Sequence, residues 1–396
     1  MLSNVQIAEL LARQAERENG ILSRAFRRAA RSAFLWPEEV TQVTAQNRSL
    51  TELRGIGPFI EKQVRRWMEK PPPLNKPPAT RQDFISLAEA RHLLATKPAW
   101  ARNLRGDLQM HSRWSDGSGT IAEMADAATA RSYDYIAITD HSKGLKIAGG
   151  IDESELQKQG VEIETLNQLL AQPDRQLVVL RSIELNLNTR GEGDMTPESL
   201  LALDLVLGSF HSSLRTIEDQ TERYLAAVRN PHIQILGHPR GRIYNFRIGL
   251  SADWPRVFAE AASLEKALEI DCYPDRQDLN VRLLKTAREH GTRISLGTDA
   301  HHPWQLEFIE LGLAAALKAK VSPQQIINFM SVEDLKSWVR RIRDGVVRRT
   351  NLSASGNRKN VRSRLHPKQA GRTSASEQSS LAGAFALREK NKRKIK

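Results

Sequence analysis

The stretch Asp107-Leu-Gln-Met-His111 alternates polar and apolar residues over five positions and ends on a histidine. Alternation of this kind is typical of a β-strand, because successive side chains of a strand point to opposite faces. The next such run, Tyr135-Ile-Ala-Ile-Thr139, is followed at once by Asp140 and His141. A short β-rich run that ends in a polar side chain able to bind a metal is therefore the recurring feature of this region.

Seven β-rich runs alternate with helical stretches between Asp107 and about Val321. They are Asp107–His111, Tyr135–Thr139, Leu177–Leu185, Leu205–His211, Ile233–His238, Ala267–Asp271 and Arg293–Thr298. Strands that alternate with helices favour a parallel sheet, so we predict an α/β fold with a seven-stranded βα barrel. Residues 323–349 are expected to form terminal helices, around Ile326–Met330 and Glu333–Val347.

The region before the barrel has a different pattern. From Asn4 to about Lys70, apolar residues recur at spacings of three and four, which predicts a small all-α domain. Prolines at 71–73 and 77–78 follow, and proline cannot propagate a helix. We therefore predict four segments: a helical domain at 1–70, a proline-rich linker at 71–103, the barrel with its terminal helices at 104–348, and a basic tail at 349–396.

Composition excludes several classes of protein. The chain has 396 residues, of which 40% are hydrophobic and 27% are charged, as in a globular protein with a sizeable core. No run approaches the roughly 18–20 apolar residues that cross a bilayer, and charges interrupt the N-terminus before a signal-peptide core forms. The single cysteine, Cys272, cannot form an intramolecular disulfide. We expect a cytoplasmic protein without a membrane partner.

Most of the positive charge lies in the tail. The formal net charge is +13, and residues 351–396 contain 12 Lys or Arg against Glu377 and Glu389, a net charge of +10. Few large apolar residues accompany them, so we predict a disordered basic arm. Clustered cations bind phosphates by counterion release whatever the base sequence. The expected partner is nucleic acid and the expected location the nucleoid, with a solubilising tail as the alternative.

A glycine-rich turn lies within the helical segment, in Leu50-Thr-Glu-Leu-Arg-Gly-Ile-Gly-Pro58. Gly55 and Gly57 permit backbone conformations closed to other residues, and Pro58 suits the first turn of a helix. We predict a tight turn between two helices, whose free N–H groups can hold a phosphate. A plain corner between two helices is the alternative.

This turn resembles the helix-hairpin-helix motif of DNA repair proteins. The preceding run, Phe26-Arg-Arg-Ala-Ala30, resembles the corresponding helix in the small N-terminal DNA-binding domain of family X DNA polymerases. The resemblance implies contact with the DNA backbone. The residues that it implicates are Gly55, Ile56, Gly57, Lys62, Arg65 and Arg66.

Nine polar residues fall at or near the carboxyl ends of the predicted strands, the rim on which α/β barrels build their sites. They are Gln109, His111, Asp116, His141, Glu184, His211, His238, Asp299 and His301. A single buried histidine is more often a hydrogen-bonded core residue, but five of the ten histidines fall at successive strand ends here. Imidazole and carboxylate without cysteine favour Mn, Fe or Zn over a structural zinc site.

These motifs resemble those of the polymerase-and-histidinol-phosphatase (PHP) family. The resemblance spans almost all of residues 104–320 and implies a distorted seven-stranded βα barrel with up to three divalent metal ions. The family usually has histidine where this chain has Gln109. Carried over, one ion takes His111, Glu184 and Asp299 with residue 109, a second takes Asp116, His141 and His301, and a third takes Glu184, His211 and His238.

A narrower resemblance links the chain to the PHP domain of bacterial family X DNA polymerases. It rests on Gly237-His-Pro-Arg-Gly-Arg242 and Pro274-Asp-Arg-Gln-Asp278, and the glutamine of the first motif occurs there too. In that family a polymerase palm separates the helical domain from the PHP domain. The interval from Lys70 to Leu104 is too short for a palm, so we predict no polymerase activity.

The resulting hypothesis is a metal-dependent phosphoesterase acting on DNA, as a 3′-5′ exonuclease or a 3′-end-processing enzyme of DNA repair. Arg240, Arg242 and Lys143 are candidates for gripping the substrate phosphate, and Asp140 for orienting a ligand histidine or contacting substrate. The main alternative is a small-molecule phosphomonoesterase of the histidinol-phosphatase type. A second alternative is a non-catalytic DNA-binding scaffold.

Overall fold

Four α-helices lie within residues 1–70 of the structure, a computed structural model that describes residues 1–171 and 177–345. They are α1 (Asn4–Arg17), α2 (Gly20–Ser32), α3 (Val40–Ala45) and α4 (Pro58–Glu69). A capping box begins α1: the Ser3 hydroxyl accepts from the Gln6 N–H, and the Gln6 side chain accepts from the Ser3 N–H. The apolar faces pack together, with Ile7, Phe26 and Val64 buried in one cluster.

The turn before α4 has the conformation that its glycines suggest. Gly55 has φ +82°, and a Cβ atom there would lie 2.8 Å from Oγ of Ser32, so a side chain does not fit. Gly57 is the N-cap of α4, and Pro58 is its first residue. Before the turn, however, lies only a three-residue 3-10 helix, Leu50–Glu52. The helix-hairpin-helix prediction is therefore not confirmed, because the first of its two helices is a single turn.

The predicted linker is only partly a connector. Residues 71–78 have no regular secondary structure, as their prolines suggest. The remainder forms two more helices, α5 (Leu87–Ala95) and α6 (Pro98–Asn103). Arg91 of α5 donates through Nε to Glu310 at 2.8 Å, which ties this helix to a later part of the chain.

Eight β-strands, all paired in parallel, occur in residues 1–171 and 177–345. They are β1 (Gly106–Met110), β2 (Tyr135–Ile138), β3 (Val178–Arg181), β4 (Glu184–Leu187), β5 (Leu207–Phe210), β6 (Ile235–Leu236), β7 (Ala267–Asp271) and β8 (Arg293–Gly297). They form two sheets, in the orders β1-β2-β3 and β4-β5-β6-β7-β8. The α/β fold with parallel strands is thus as predicted from the sequence.

The predicted number of seven strands is wrong. The run Leu177–Leu185, expected to be one strand, is broken at Ser182 and Ile183 into β3 and β4. The break lies where the chain changes partners, because β3 pairs with β2 whereas β4 pairs with β5. Single parallel bridges link the two sheets, one between His141 and Glu184 and one between Met110 and Ala300.

Helices follow most of the strands and cover the sheets. They are α7 (Ile121–Ala130), α8 (Glu153–Leu170), α9 (Pro197–Leu201), α10 (Thr221–Arg229), α11 (Trp254–Ser263), α12 (Val281–Glu289), α13 (Ile309–Lys318) and α14 (residues 332–345). Trp338 of α14 is fully buried in a cluster with Leu108, Tyr135 and Leu207 from the strands. Its indole Nε1 donates to the main-chain oxygen of Glu265 at 2.8 Å, so the buried polar atom is satisfied.

The N-terminal helices contact the α/β part through an aromatic cluster. The ring of Tyr244 lies 4.8 Å from that of Phe34 and 5.2 Å from that of Phe84, both nearly edge to face. Beside it, Arg81, from the segment between the two parts, forms a buried ion pair with Glu9 at 2.8 Å from Nε to Oε2 and donates through Nη1 to Oδ1 of Asn245 at 2.8 Å. Aromatic area and a paired charge therefore hold the two parts together.

The described residues belong to one compact unit, Met1–Val346. No helix among them is long and apolar enough to cross a membrane. The predicted basic tail, residues 349–396, lies outside the described residues, as does the end of the predicted terminal helix. The division into four segments stays a prediction.

Candidate metal centre

Polar side chains converge where the parallel strands end. His211 follows β5 directly, His141 lies three residues beyond β2, and Asp299 lies two residues beyond β8. Because parallel strands present their carboxyl ends on one side, these side chains reach a common space. Glu184 differs from the prediction, since it is the first residue of β4 rather than a residue near the end of a longer strand.

Glu184 is the centre of the cluster. Its Oε1 atom lies 2.6 Å from Nε2 of His238 and 3.2 Å from Nε2 of His211. Its Oε2 atom lies 3.0 Å from Nδ1 of His141 and 3.5 Å from Nε2 of His111. One fully buried carboxylate therefore contacts four imidazoles.

A second set of contacts surrounds Asp116. Its Oδ1 atom lies 3.2 Å from Nε2 of His301 and 3.5 Å from Nε2 of His141. The ring of His111 stacks on both imidazoles, with centroid distances of 4.3 Å to His141 and 4.4 Å to His301. Its Nε2 atom lies 3.0 Å from Oδ1 of Asp299, which connects the two halves of the cluster.

Three overlapping groups within the described residues bring candidate ligand atoms within 4.8 Å of one another. They are His111, Asp116, His141 and His301; His141, Glu184 and His211; and His111, Glu184 and Asp299. The third equals the first ion's predicted set without residue 109. The other two differ: His111 joins the Asp116 group, and His141 stands where the sequence suggested His238. The imidazole of His238 contacts Glu184, at 2.6 Å from Nε2 to Oε1, but lies outside these three groups.

The charges of the cluster are mutually dependent. Burial raises the pKa of Glu184, but the surrounding histidines outweigh burial and hold that pKa well below its usual range. Burial lowers the pKa of His238, but Glu184 outweighs it and raises the pKa to about 10. His301 follows the same pattern, and Asp116 and Asp299 raise its pKa to about 9 against burial. The carboxylates and imidazoles of the site therefore stabilise one another's charged forms.

The residues present fit divalent metal ions. Nδ1 of His111, Nδ1 of His141 and Oε2 of Glu184 are buried and have no hydrogen-bond partner in the described chain. The last two lie 3.0 Å apart without the geometry of a hydrogen bond. Each unsatisfied buried polar atom costs about 1–3 kcal/mol, which an ion between such atoms would offset. Imidazole with carboxylate, and without thiolate, suits Mn, Fe or Zn.

Two of the candidate ligands have a backbone that is uncommon outside glycine. The φ angle is +21° at His238 and +52° at Asp299. Such conformations cost about 1–3 kcal/mol each and persist where neighbours fix them. Here the His238 N–H donates to Glu269 at 2.7 Å, and the Asp299 N–H donates to the main-chain oxygen of Gln109 at 3.1 Å. The backbone at these two candidate ligands is thus fixed by hydrogen bonds to Glu269 and Gln109.

Comparison with known proteins gives the family. No protein-family model matches the chain. It is 34% identical over 239 residues to the DNA polymerase/3′-5′ exonuclease PolX of Bacillus subtilis, covering 60% of this chain and 41% of that protein. It is 25% identical over 229 residues to a probable phosphatase of Caldicellulosiruptor bescii, covering 56% of this chain and 88% of that protein. It is also 30% identical over 192 residues to the probable phosphatase PBPRB2022 of Photobacterium profundum, covering 46% of this chain and 72% of that protein. The chain belongs to the PHP superfamily.

The extent of the matches differs between the relatives. The match spans less than half of the length of the Bacillus polymerase and most of the length of the phosphatase. Among solved structures, the histidinol phosphate phosphatase of Lactococcus lactis, complexed with zinc, L-histidinol and phosphate, is 20% identical with a TM-score of 0.39. That similarity covers 55% of this chain and 94% of the phosphatase.

Gln109 is the position at which this PHP chain lacks the usual histidine. With its amide oriented to suit its neighbours, it donates to both carboxylate oxygens of Glu269, at 2.7 and 2.8 Å. Both side chains are fully buried, and burial raises the pKa of Glu269 well above its usual range. Gln109 therefore contacts a second buried carboxyl group, and its role as a metal ligand stays a prediction.

The two arginines predicted to grip the substrate phosphate have other partners. Arg240 donates through Nη2 to the main-chain oxygen of Ile248 at 2.8 Å. Arg242 donates to the main-chain oxygen of Gln82 at 3.0 Å, and its guanidinium lies 3.8 Å from the centroid of the Phe84 ring. Both are buried. Main-chain carbonyls accept from part of each guanidinium, so both arginines fasten loops here, and their role in gripping a substrate phosphate stays a prediction.

The other two predicted catalytic residues are also engaged. Lys143 forms an ion pair with Glu153, at 2.7 Å from Nζ to Oε1. Asp140 is buried and accepts from the Ser112 N–H at 2.8 Å, the Ser115 hydroxyl at 2.5 Å and the Gln159 amide at 2.6 Å. Asp140 therefore fixes the loop that carries Asp116, and its two predicted roles, orienting a ligand histidine or contacting substrate, stay predictions.

The residues predicted to bind DNA in the turn are of mixed availability. Ile56 is buried in the helical core. Arg65 pairs with Glu61 at 2.7 Å and donates to the main-chain oxygen of Arg48 at 2.7 Å, so its guanidinium is occupied. Lys62 and Arg66 are exposed, and Gly55 and Gly57 form the turn described above.

Sequence reasoning missed one cation at the site. Nε of Arg276 lies 3.7 Å from Oδ2 of Asp299 and 3.7 Å from Oδ2 of Asp271. The run Pro274–Asp278 was part of the family resemblance, but it gave no role to this side chain. Arg276 neutralises part of the carboxylate charge beside the candidate ligands.

Proposed function

We propose that this chain is a metal-dependent phosphoesterase that hydrolyses DNA phosphodiesters, as a 3′-5′ exonuclease or a 3′-end-processing enzyme. The observation that carries the proposal is the contact of one buried carboxylate, Glu184, with four imidazoles, in three overlapping ligand groups. The 34% identity to a Bacillus protein named polymerase/3′-5′ exonuclease supports DNA as the substrate. We further interpret the two linked sheets as the distorted barrel of the PHP fold.

We assign the metal ions to the three ligand groups, with Gln109 as a predicted further ligand of the first ion. Up to three divalent ions, of Mn, Zn or Fe, would be held by the three groups, with His238 beside Glu184. When bound, such ions supply a nucleophilic water at neutral pH and neutralise charge on phosphoryl oxygens. Arg276 and Asp140 position the surrounding loops, and Glu269 holds Gln109 and the backbone of His238 in place.

Polymerase activity is not part of the proposal. The segment between Lys70 and Leu104 contains α5 and α6, and it is shorter than the roughly 50 residues of a small domain. A palm with its own catalytic carboxylates does not fit there. DNA hydrolysis without synthesis is the function that the remaining parts support.

A small-molecule phosphomonoesterase is the second candidate. It is favoured by the probable phosphatase of Caldicellulosiruptor bescii, which this chain matches over 88% of that protein's length. The ligand groups alone would serve either substrate. The two candidates differ in the binding surface that they need outside the ligand groups. Only a DNA enzyme uses an extended surface that contacts several phosphates.

The test compares both substrates with the same protein. Purified chain with added Mn²⁺ is incubated with oligonucleotides labelled at the 5′ or the 3′ end, and separately with histidinol phosphate. Stepwise shortening from the 3′ end supports the proposal, provided that a His141→Ala, Asp299→Ala variant abolishes it and the surface variant His92→Ala does not. Cleavage of histidinol phosphate alone would replace the proposal with the phosphomonoesterase.

A further inference from the structure

A cleft of about 550 Å³ lies between α2 and the segments that follow β7 and β8. Its volume is in the range of ligand-binding pockets. Its walls combine side chains from the N-terminal helices with Tyr273 and Gln305 of the α/β part. We call it the arginine cleft, after the residues that characterise it: Arg24, Arg27, Arg28, Arg31, Arg54 and Trp304.

The arginines of α2 are available for an anion. Arg24, Arg27, Arg28 and Arg31 are exposed, and their side chains form no ion pair or hydrogen bond with any residue of the described ranges. Spacings of three, four and seven residues place them on one face of the helix, over a length of about 10 Å. Asp275 is the single acidic residue of the lining, so the cleft is strongly positive.

The cleft adjoins the candidate metal centre. Gln305, in its wall, accepts a hydrogen bond from the main-chain N–H of His301 at 2.7 Å and contacts the Tyr273 hydroxyl at 3.4 Å. Arg276, next in sequence to Asp275 of the lining, pairs with Asp299. An extended ligand in the cleft therefore lies against the residues that flank the ligand groups.

An aromatic face completes the cleft. Trp304 is 38% exposed, although large aromatic side chains are usually well buried. The guanidinium of Arg54 lies 4.9 Å from the centroid of its ring, and Phe308 supports the ring from its edge at 5.3 Å. Exposed aromatic rings among arginines are the platforms on which unpaired bases stack.

We propose that the arginine cleft binds a single-stranded segment of nucleic acid, with the phosphates on the arginines of α2 and an unpaired base on Trp304. The inference rests on the proposed function and deepens it, because it specifies that the substrate of the metal centre is a single strand. A duplex fits less well, since its bases are paired and stacked on one another. The site differs from the one expected from the sequence, which was centred on Lys62, Arg65 and Arg66 of α4.

The test measures binding separately from hydrolysis. Fluorescence anisotropy follows a labelled 12-nucleotide phosphorothioate strand, which resists cleavage, on the full metal-loaded chain at several salt concentrations. The variant is Arg27→Gln, Arg31→Gln. Loss of two phosphate contacts should make the fall of log K with log salt concentration less steep, by about 1.4 in the slope. At 0.1 M salt this corresponds to a roughly 25-fold loss of affinity.

Two double variants with the same change of charge serve as controls. Lys62→Gln, Arg66→Gln removes the exposed cations of α4, and Lys97→Gln, Arg102→Gln removes exposed cations of α6. Both should bind the strand within about twofold of the wild type. An unchanged slope for the cleft variant, or an equal loss for either control, overturns the proposal. Unchanged thermal midpoints show that all three variants are folded.

The aromatic part of the proposal has its own test. A strand with abasic 3′-terminal nucleotides should bind the wild type more weakly by about fivefold to 150-fold. Trp304→Leu should bind the intact and the abasic strand equally. Two results would contradict single-strand binding. One is equal affinity of the wild type for the intact and the abasic strand, and the other is a duplex of equal length that competes for the protein as well as the strand does.

The proposed function can fail independently of the cleft. Hydrolysis of bis(p-nitrophenyl) phosphate, too small to span the cleft, reports the metal centre alone. The cleft variant should retain this activity while losing strand binding. A wild type that hydrolyses no ester but binds the strand through the arginines would overturn the proposed function and leave the cleft supported.

Discussion

Nε2 of His238 lies 2.6 Å from Oε1 of Glu184, while the other oxygen of the same carboxylate lies 3.0 Å from Nδ1 of His141. The interruption between β3 and β4 makes this possible, because it turns Glu184 into the first residue of a strand that pairs with β5. Glu184 thus stands between histidines carried by strands of the two different sheets.

Glu184→Gln should remove most of the hydrolytic activity. An amide retains the shape of the side chain but loses the charge that two of the three ligand groups share. Loss of residues that only support a ligand already costs 10–100-fold in affinity or activity, so we expect a loss of at least about 100-fold. Turnover of bis(p-nitrophenyl) phosphate and metal content by mass spectrometry measure both effects. The exposed change Glu289→Gln should alter neither, and full metal content in Glu184→Gln would contradict the assignment.

Metal removal should lower the stability of the folded chain. Ions that bind only the native state stabilise it by about 2.7 kcal/mol at a concentration 100 times the dissociation constant. Chelation should therefore lower the thermal midpoint, and Mn²⁺ or Zn²⁺ should restore it. In the His141→Ala, Asp299→Ala variant the midpoint should no longer respond to added ions. An equal response in both proteins would place the stabilising ions elsewhere.

The sequence predicted the parts of the site that depend on local pattern. A β-rich run that ends in histidine places that histidine at the end of a strand, and parallel strands bring such ends together. This is why His111, His141, His211 and Asp299 meet as expected. The same reasoning failed at Glu184, because the β-rich run from Leu177 to Leu185 contains no glycine or proline to indicate that the chain changes partners at Ser182.

Contacts between distant segments could not be predicted in this way. Arg242 closely follows His238 in sequence, so a phosphate-binding role was a reasonable prediction. Its actual contacts, Phe84 and the main-chain oxygen of Gln82, lie some 160 positions away in the sequence. The arginine cleft likewise joins α2 to the segment around Trp304. The apolar periodicity of residues 4–70 predicted helices there, but it gave no information on which later segment α2 contacts.

Arg242→Gln should destabilise the fold and leave catalysis largely intact. The buried guanidinium packs on Phe84 and donates to main-chain carbonyls, so its loss removes a cation–π contact and charged hydrogen bonds. We expect a decrease of about 2–4 kcal/mol in the free energy of unfolding. Urea unfolding and the turnover number measure the two effects. Exposed Arg190→Gln is the control, and a lost turnover number at unchanged stability would restore the phosphate-binding role.

Gln109→Leu should destabilise the protein through Glu269. The amide donates to both oxygens of a buried carboxyl group, and leucine offers no donor. Leaving a buried acceptor without its partner costs about 1–3 kcal/mol. Urea unfolding measures the change, with Gln168→Leu on the exposed face of α8 as the matched control. If the loss appears only when the ligand groups are loaded with metal, Gln109 acts as a ligand instead.

Tyr244→Ala should loosen the contact between the N-terminal helices and the α/β part. The ring is 2% exposed and packs edge to face against Phe34 and Phe84, so its removal leaves a cavity that costs about 3–5 kcal/mol. Tyr244→Phe keeps the ring and loses only a 3.5 Å contact of the hydroxyl with Ala8, so its stability should change by less than about 1 kcal/mol. Phe246→Ala, two positions away and 56% exposed, is the matched control. Limited proteolysis locates the peptide bonds that become accessible in each variant. Cleavage near residues 71–78 in Tyr244→Ala alone would show that this aromatic cluster holds the arginines of α2 against the metal centre. Equal resistance in all three variants would mean that the Arg81–Glu9 ion pair is sufficient for that contact.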